Sequence, residues 1–239
     1  MSFCIELFCV VTLQYQILVR IAIAYFIIEK KKTAPQPWQA IAQRFCSIRI
    51  WRGNMIKTLI INGSPRINGD TASLLDVVKE NIEGEYRVVD VYRCAISPCL
   101  DCRFCWKNNG CAINDEMQEI YDYIQICDNI LIASPIYFSE LTGRLLDVGS
   151  RLQTYFCAKF FRKEKPIAKS KKGAVVLVGG GDGNMRKPYE TACTLLHHMN
   201  CYNIHDVVFS HNTNVRPAIE DEQVLNGIQS IIDFFNGVQ

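Results

Sequence analysis

Four cysteines fall within residues 99–111, at Cys99, Cys102, Cys105 and Cys111, in the stretch SPCLDCRFCWKNNGC. The spacing is Cys-x2-Cys-x2-Cys-x5-Cys. Two-residue gaps put successive thiols on a tight loop, and Asn108-Asn109-Gly110 is a turn signal that can fold Cys111 back toward the others. Four thiolates suit a cubane iron–sulfur cluster. They also suit tetrahedral zinc, although zinc sites more often pair two Cys-x2-Cys knuckles across a longer span. Free or redox-active thiols are the third reading. The run of three cysteines with a fourth close by leans toward iron–sulfur. Cys94 is a spare ligand at most, and Cys127, Cys157 and Cys193 read as small buried hydrophobes.

A second stretch, Asn62–Ser73, lies between a strand-like run and a helix-like run. Backbone N–H groups and the positive dipole end at a helix start suit a phosphate. Ser64, Thr71 and Ser73 add hydroxyls, and Arg66 adds charge. The spacing is neither Walker A nor GxGxxG, and a plain capped turn is the competing reading. Asp70 is expected to cap the following helix, because an acid beside a phosphate would repel it.

These loops need a scaffold. From Met55 onward, strand and helix patterns alternate. Strands are expected at Lys57–Asn62, Tyr86–Val91, Asn129–Ser134, Ala174–Val178 and Asp206–Phe209. Helices are expected over Thr71 to about Glu83, about Asp115 to Ile126, around Thr142–Phe156, Pro188–Met199 and Glu222–Phe235. In the last helix Val224, Ile228, Ile231, Ile232 and Phe235 share one face. Five β-α units argue an α/β fold with a doubly wound five-stranded parallel sheet. Ligands of such sheets bind at the carboxyl ends of strands, so the loops after the first, third and fourth strands should carry function.

Composition narrows the function classes. With 49% apolar residues in 239, a sizeable core is possible, and a formal charge of +2 gives no overall pull toward nucleic acid or membrane. The average hides an asymmetry: residues 1–54 hold seven Lys/Arg against two Asp/Glu, and the remainder 19 against 22. Twelve cysteines without a clear signal-peptide cleavage site fit reduced thiols in the cytoplasm, some of them holding a metal. His197, His198, His205 and His211 form no pattern for nucleophilic catalysis. The lysines of 163–172 read as a solvated loop rather than an anion site. Nothing interleaves aromatic and basic residues as nucleic-acid binding requires.

Three motifs in order carry a resemblance. INGSPRINGDTASLL resembles the phosphate loop of the flavodoxin-like NADPH-dependent FMN reductase family; SPIYFSELTGRL (Ser134–Leu145) and VGGGDGNM (Val178–Met185) resemble its second and third flavin loops. The resemblance runs from Met55 to near the C-terminus. It implies strand order 2-1-3-4-5. It also implies FMN phosphate binding by Ser64, Arg66, Thr71, Ala72 and Ser73, with Pro135, Ile136, Tyr137 and Phe138 along the ring. Gly179, Gly180 and Gly181 would let backbone approach the ring's polar edge. Three positions depart: the family usually has Asn at Asp70, commonly Lys at Leu146 and an acid at Ser150. The cysteine loop, followed by Asp115-Glu116-Met117, resembles that of the family's iron–sulfur flavoproteins, where four such cysteines hold a [4Fe–4S] cluster. The resemblance further implies electron transfer from NAD(P)H or ferredoxin through FMN, in a homodimer or homotetramer. A non-catalytic electron carrier and a zinc- or thiol-regulated interaction protein are the alternative classes.

The expected domain layout is an extension over 1–54 and a flavodoxin-like domain over 55–239 with a cysteine loop at 94–111. Within 1–28, Glu6, Gln14, Gln16 and Arg20 cut the apolar stretch into runs too short to span a bilayer. A weak membrane segment therefore stands as the lesser reading. The other is that translation starts at Met55, since Arg52-Gly53-Asn54 can be encoded by a ribosome-binding-site-like run. N-terminal sequencing of the native protein is expected to begin at Met55; a chain beginning at Met1 overturns that start.

Overall fold

The computed structural model describes residues 55–238. The expectations for residues 1–54 lie outside the described residues. Strand β1 (Lys57–Asn62) leads to helix α1 (Asp70–Asn81) and strand β2 (Glu85–Asp90). A loop carrying the cysteines and one short helix, α2 (Phe104–Lys107), leads to α3 (Met117–Ile126) and β3 (Asn129–Pro135). Helices α4 (Gly143–Ser150) and α5 (Gln153–Phe160) precede β4 (Lys171–Val178), and α6 (Arg186–His198) precedes β5 (Cys201–Ile204) and β6 (Val208–Ser210). A 3-10 turn (Ala218–Glu220) and helix α7 (Glu222–Asn236) close the domain.

The sheet is parallel throughout, in the order β2-β1-β3-β4-β5, with β6 also paired to β4. The expected five-position 2-1-3-4-5 order is therefore present, but the fifth position holds two short strands. β5 pairs with Lys171–Gly173 and β6 with Val176–Val178, with a register shift between Lys171 and Lys172. The expected single strand at Asp206–Phe209 is corrected accordingly. Cys-Tyr-Asn-Ile has only one fully buried residue, as suits an edge strand, so it carries little of the apolar signal by which strands are recognised.

Alternation along the central strands feeds two cores. On one face Leu59, Ile61, Ile130, Ile132, Val175 and Leu177 meet α3 to α6. On the other, Ile60, Leu131, Ala174 and Val176 meet α1 and α7. The five apolar residues expected along α7 are all buried there. Asp221 caps α7 by accepting from the N–H groups of Gln223 and Val224, and Gly237 ends it in the left-handed conformation. Among the described residues no helix is long and apolar enough to cross a membrane.

Two helices depart from expectation. The single helix expected around Thr142–Phe156 is broken by a turn at Arg151-Leu152. There Arg151 and Leu152 bond back three residues, to Val148 and Gly149, and the Tyr121 hydroxyl takes the Arg151 carbonyl at 2.7 Å. The Asp70 side chain does not cap α1. Its Oδ1 accepts instead from the Ala218 N–H at 2.8 Å, tying the helix start to the 3-10 turn.

Gly84, expected to stop α1, lies at φ +93° in the turn into β2, where an added Cβ would stand 2.1 Å from the Ile56 carbonyl oxygen. Gly84→Ala is expected to destabilise the domain by more than about 2 kcal/mol, through the left-handed backbone and the clash together. Urea unfolding followed by circular dichroism checks this; an unchanged midpoint would refute the role given to Gly84.

Candidate functional site

The carboxyl ends of β1, β3 and β4 carry three loops that bond to one another. The Gly63 N–H donates to the Ala133 carbonyl at 2.7 Å, and the Thr142 hydroxyl donates to the Gly63 carbonyl at 2.8 Å. A Cβ on Gly63 would approach Ser134 Oγ to 2.9 Å, so glycine is what lets the first two loops close on each other. The Ile136 N–H donates to the Val178 carbonyl at 2.8 Å, joining the second loop to the end of β4.

In the first loop Ser64 is buried. Its Oγ accepts from the Arg66 N–H at 3.2 Å and lies 3.3 Å from the Arg66 carbonyl, closing a tight turn. Ser73 Oγ donates to the Asp70 carbonyl at 2.9 Å. Two of the three expected hydroxyls are thus engaged locally. What remains available is the first turn of α1. Its N–H groups, at Asp70, Thr71 and Ala72, have no intrahelical acceptors, and Gly69 at the cap position offers no side chain. Beside them, the exposed Arg66 guanidinium has no hydrogen-bond or ion-pair partner among the described residues. An anion fits this arrangement better than a neutral group does.

In the second loop Tyr137 and Glu140 exchange backbone hydrogen bonds at 3.0 Å, forming a two-residue hairpin with Phe138 at φ 52° and Ser139 at φ 59°. Positive φ at both central residues normally calls for Asn-Gly. Here it holds Phe138 fully in solvent with Tyr137 half-exposed beside it, while Pro135 and Ile136 are partly covered. The four residues expected along a ring form one segment, and its aromatic members face water.

The third loop is braced from behind by residues for which the sequence offered no signal beyond polarity. Asn212, Thr213 and Asn214 donate through their N–H groups to Gly181, Gly179 and Gly180, and a Cβ on Gly180 would collide with the Asn214 amide at 2.8 Å. Gly181 meets nothing within 4 Å on its open side.

All four clustered cysteines line a single small cavity, walled also by Trp106, Arg151 and Thr154. Arg103 and Gly110 take left-handed backbone in the turns between the thiols. Among the described residues no three His, Cys, Asp or Glu side chains are grouped closely enough to hold a metal ion; the thiols share a cavity without converging on one point. Burial and the neighbouring buried Cys157 push the Cys105 thiol up to about 12, so without a metal it stays protonated at neutral pH. A metal bound there has to displace that proton. Trp106 stacks on Phe161 at 4.4 Å between ring centroids, seating α2 on the end of α5. Cys127 and Cys157 are buried as expected, Cys201 as well, whereas Cys193 is only half-buried.

Residues 144–162 hold the cysteine loop by its backbone. Arg144 donates to the carbonyls of Val91 and Cys94. Ser150 Oγ accepts from the Cys99 N–H at 2.9 Å. Thr154 donates to the Gly110 carbonyl at 2.9 Å, and Arg162 to the Cys105 carbonyl. At the centre is Arg151, whose side chain is 0% exposed. It pairs with both Asp115 oxygens, at 2.6 and 3.1 Å, and donates to the carbonyls of Ser97 and Ile113. Asp115 in turn accepts from the N–H groups of Ser97 and Met117, so it also starts α3 as expected. Arg151 is the one cation of residues 145–158, where Asp147 is the one acid, and nothing in that stretch points to its partner at Asp115.

A model of the NADPH-dependent FMN reductase family matches residues 56–214. An iron–sulfur flavoprotein of Methanocaldococcus jannaschii is 31% identical over 129 residues, which cover 52% of this chain and 62% of that protein. An iron–sulfur flavoprotein of Methanosarcina thermophila is 28% identical over 142 residues, covering 57% of this chain and 71% of that protein. The chain thus spans less than two thirds of the first of these relatives. Among solved structures, an NAD(P)H:quinone oxidoreductase from Methanothermobacter marburgensis matches with a TM-score of 0.56 at 14% identity, covering 78% of this chain and 100% of that one. An apo NADH:FMN oxidoreductase matches with a TM-score of 0.53 at 19% identity, covering 76% and 88%. At such identities the structural likeness concerns the fold.

The buried pair at the loop's base gives a pH-dependent prediction. Burial raises the Asp115 carboxyl, but the Arg151 bonds and the Ser97 and Met117 N–H groups outweigh it and hold the carboxyl below its ordinary value. A carboxyl depressed by folding stabilises fully above its unfolded value, about pH 4, and loses that contribution as pH falls through the lower folded value. Asp115→Asn, which leaves the buried guanidinium without its counter-charge, is expected to cost on the order of 3 kcal/mol at neutral pH. The difference from wild type should shrink below about pH 4. Denaturant titrations at neutral and acid pH test both statements; a cost independent of pH would refute the second.

Proposed function

The chain belongs to the NADPH-dependent FMN reductase family, and from that premise we propose that it is an FMN-dependent oxidoreductase drawing electrons from reduced nicotinamide or a ferredoxin-type donor. We further propose that Cys99, Cys102, Cys105 and Cys111 hold a [4Fe–4S] cluster. The observation that carries the first reading is the meeting of the three carboxyl-edge loops: a free helix start with Arg66, an aromatic segment held in solvent, and a glycine turn with open space at Gly181. Supporting the second are the four thiols on one cavity wall and the relatives named iron–sulfur flavoproteins.

FMN, when bound, supplies the exchange between two-electron and one-electron steps, and a cluster supplies one-electron steps only. The residues bind and orient. Arg66 and the N–H groups of Thr71 and Ala72 take the phosphate, with Ser64 and Ser73 shaping the turn around it. Pro135, Ile136, Tyr137 and Phe138 cover one side of the ring system, and the Gly179–Gly181 backbone approaches its polar edge. No side chain in these loops is needed as an acid or base. The cysteine loop opens from the end of β2, next to the β1 loop: Arg93 donates to the Pro65 carbonyl at 3.3 Å. Loading a cluster requires the four thiols to draw inward on their common cavity. A homodimer or homotetramer is the assembly this reading expects, in the cytoplasm.

Anaerobic purification with counts of FMN, iron, sulfide and zinc tests the cofactor assignments. The expected result is FMN near one per chain with iron and sulfide in equal amounts; a colourless, iron-free and flavin-free protein overturns both. Bleaching of the flavin by NADPH separates an enzyme from a passive carrier. Arg66→Ala is expected to weaken FMN binding by about tenfold or more, the loss of one charge-assisted hydrogen bond. FMN fluorescence quenching against the apoprotein measures it; unchanged affinity would remove Arg66 from the phosphate site.

A further inference from the structure

Arg151 has five N–H donors, and the structure accounts for the four on its two η nitrogens. Nη1 serves Ser97 O and Asp115 Oδ2 at 2.8 and 2.6 Å, and Nη2 serves Ile113 O and Asp115 Oδ1 at 3.2 and 3.1 Å. The fifth, Nε–H, is buried and has no acceptor among the described residues. Leaving a buried donor unmet costs about 1–3 kcal/mol, and more when the group is charged. The Asp115 carboxylate could have met it by docking side-on across Nε and one Nη. It docks end-on instead, which leaves Nε–H directed elsewhere.

The cavity that Arg151 walls is the one lined by Cys99, Cys102, Cys105 and Cys111. A donor on a side chain held by four bonds, with no exposed surface, in the wall of a cavity lined by four cysteines has few acceptor chemistries open to it. Carbonyl acceptors on the flanking segments, at Ser97 and Ile113, are already taken by the η nitrogens. Resting on the reading that these cysteines hold an iron–sulfur cluster, we propose that the Nε–H of Arg151 donates a hydrogen bond to a sulfur atom of that cluster and raises its reduction potential. Reduction adds negative charge to the cluster, and an N–H directed at sulfur stabilises the more negative state the more. The guanidinium's net charge is balanced by Asp115, so the directed N–H is the part of Arg151 that distinguishes the two redox states. Arg151 is on this view a positioning residue for the loop and a tuning residue for the group the loop holds.

The test uses the full chain, reconstituted anaerobically with iron and sulfide after growth on arginine carrying the heavy nitrogen isotope at Nε. Pulsed electron paramagnetic resonance of the reduced protein is expected to show a hyperfine coupling from one such nitrogen. Arg103 also lines the cavity, from its exposed rim, so the coupling must survive in Arg103→Lys, a change at the surface that leaves the buried pair intact. Arg151→Lys, which keeps the charge and removes Nε–H, is expected to lose the coupling and to shift the cluster's potential downward in a redox titration. A loaded cluster without any arginine coupling, or with one that disappears in Arg103→Lys, overturns this inference and leaves the cluster reading standing. A protein that takes up no iron and sulfide overturns the cluster reading and this inference with it.

Discussion

One buried ion pair ties the entry of the cysteine loop to its exit. Residues 94–116 contain a single four-residue helix and almost no buried side chains, so packing alone gives them little to hold a shape by. Arg151 reaches both ends at once, taking Ser97 on the way in and Ile113 and Asp115 on the way out. That reach is possible because the helix expected to run unbroken through Arg151 turns there instead, aiming the side chain inward. The pair is costly to desolvate and gains its net value from geometry: bidentate contact plus two carbonyls and two N–H groups around it. Its use is to define one conformation for a segment that has no core of its own.

The same economy appears at the sheet's carboxyl edge. None of the three loops there is supported by apolar contacts alone. Gly63, Thr142 and Ser134 tie two of them together, and Asn212 to Asn214 hold the third from the far side. The break in the fifth strand position feeds this arrangement. β6, separate from β5, runs to Ser210, whose carbonyl accepts from the Gly179 N–H at 2.7 Å, and the chain then turns directly into the bracing residues. A strand that looks irregular in the sheet is what delivers those residues to the glycines.

Much of this was legible in the sequence, and the parts that were not share a cause. Buried parallel strands and the stripe on α7 announce themselves through periodicity, because their partners are whichever apolar faces they meet. The loops after β1, β3 and β4 could be located because each follows the carboxyl end of a strand with a strong apolar run. Asp70 misled because its local option, capping its own helix, was available, while its actual partner lies 148 residues away. Arg151, Thr154 and Asn214 share that property: polar residues whose partners are remote carbonyls and glycines leave no pattern in one dimension. Cys-Tyr-Asn-Ile escaped for the opposite reason, since an edge strand need bury little to be a strand.

The hairpin at Tyr137–Glu140 has a consequence for recognition. Phe138 and Ser139 occupy a backbone region that costs each on the order of 1 kcal/mol or more, and Phe138 makes up for none of it by packing. Folding therefore bears the whole expense of placing an aromatic side chain in solvent. On the reading proposed above, a flat ligand there would meet a turn already formed and an aromatic ring already outside the core, so little of its binding energy would go into ordering the backbone.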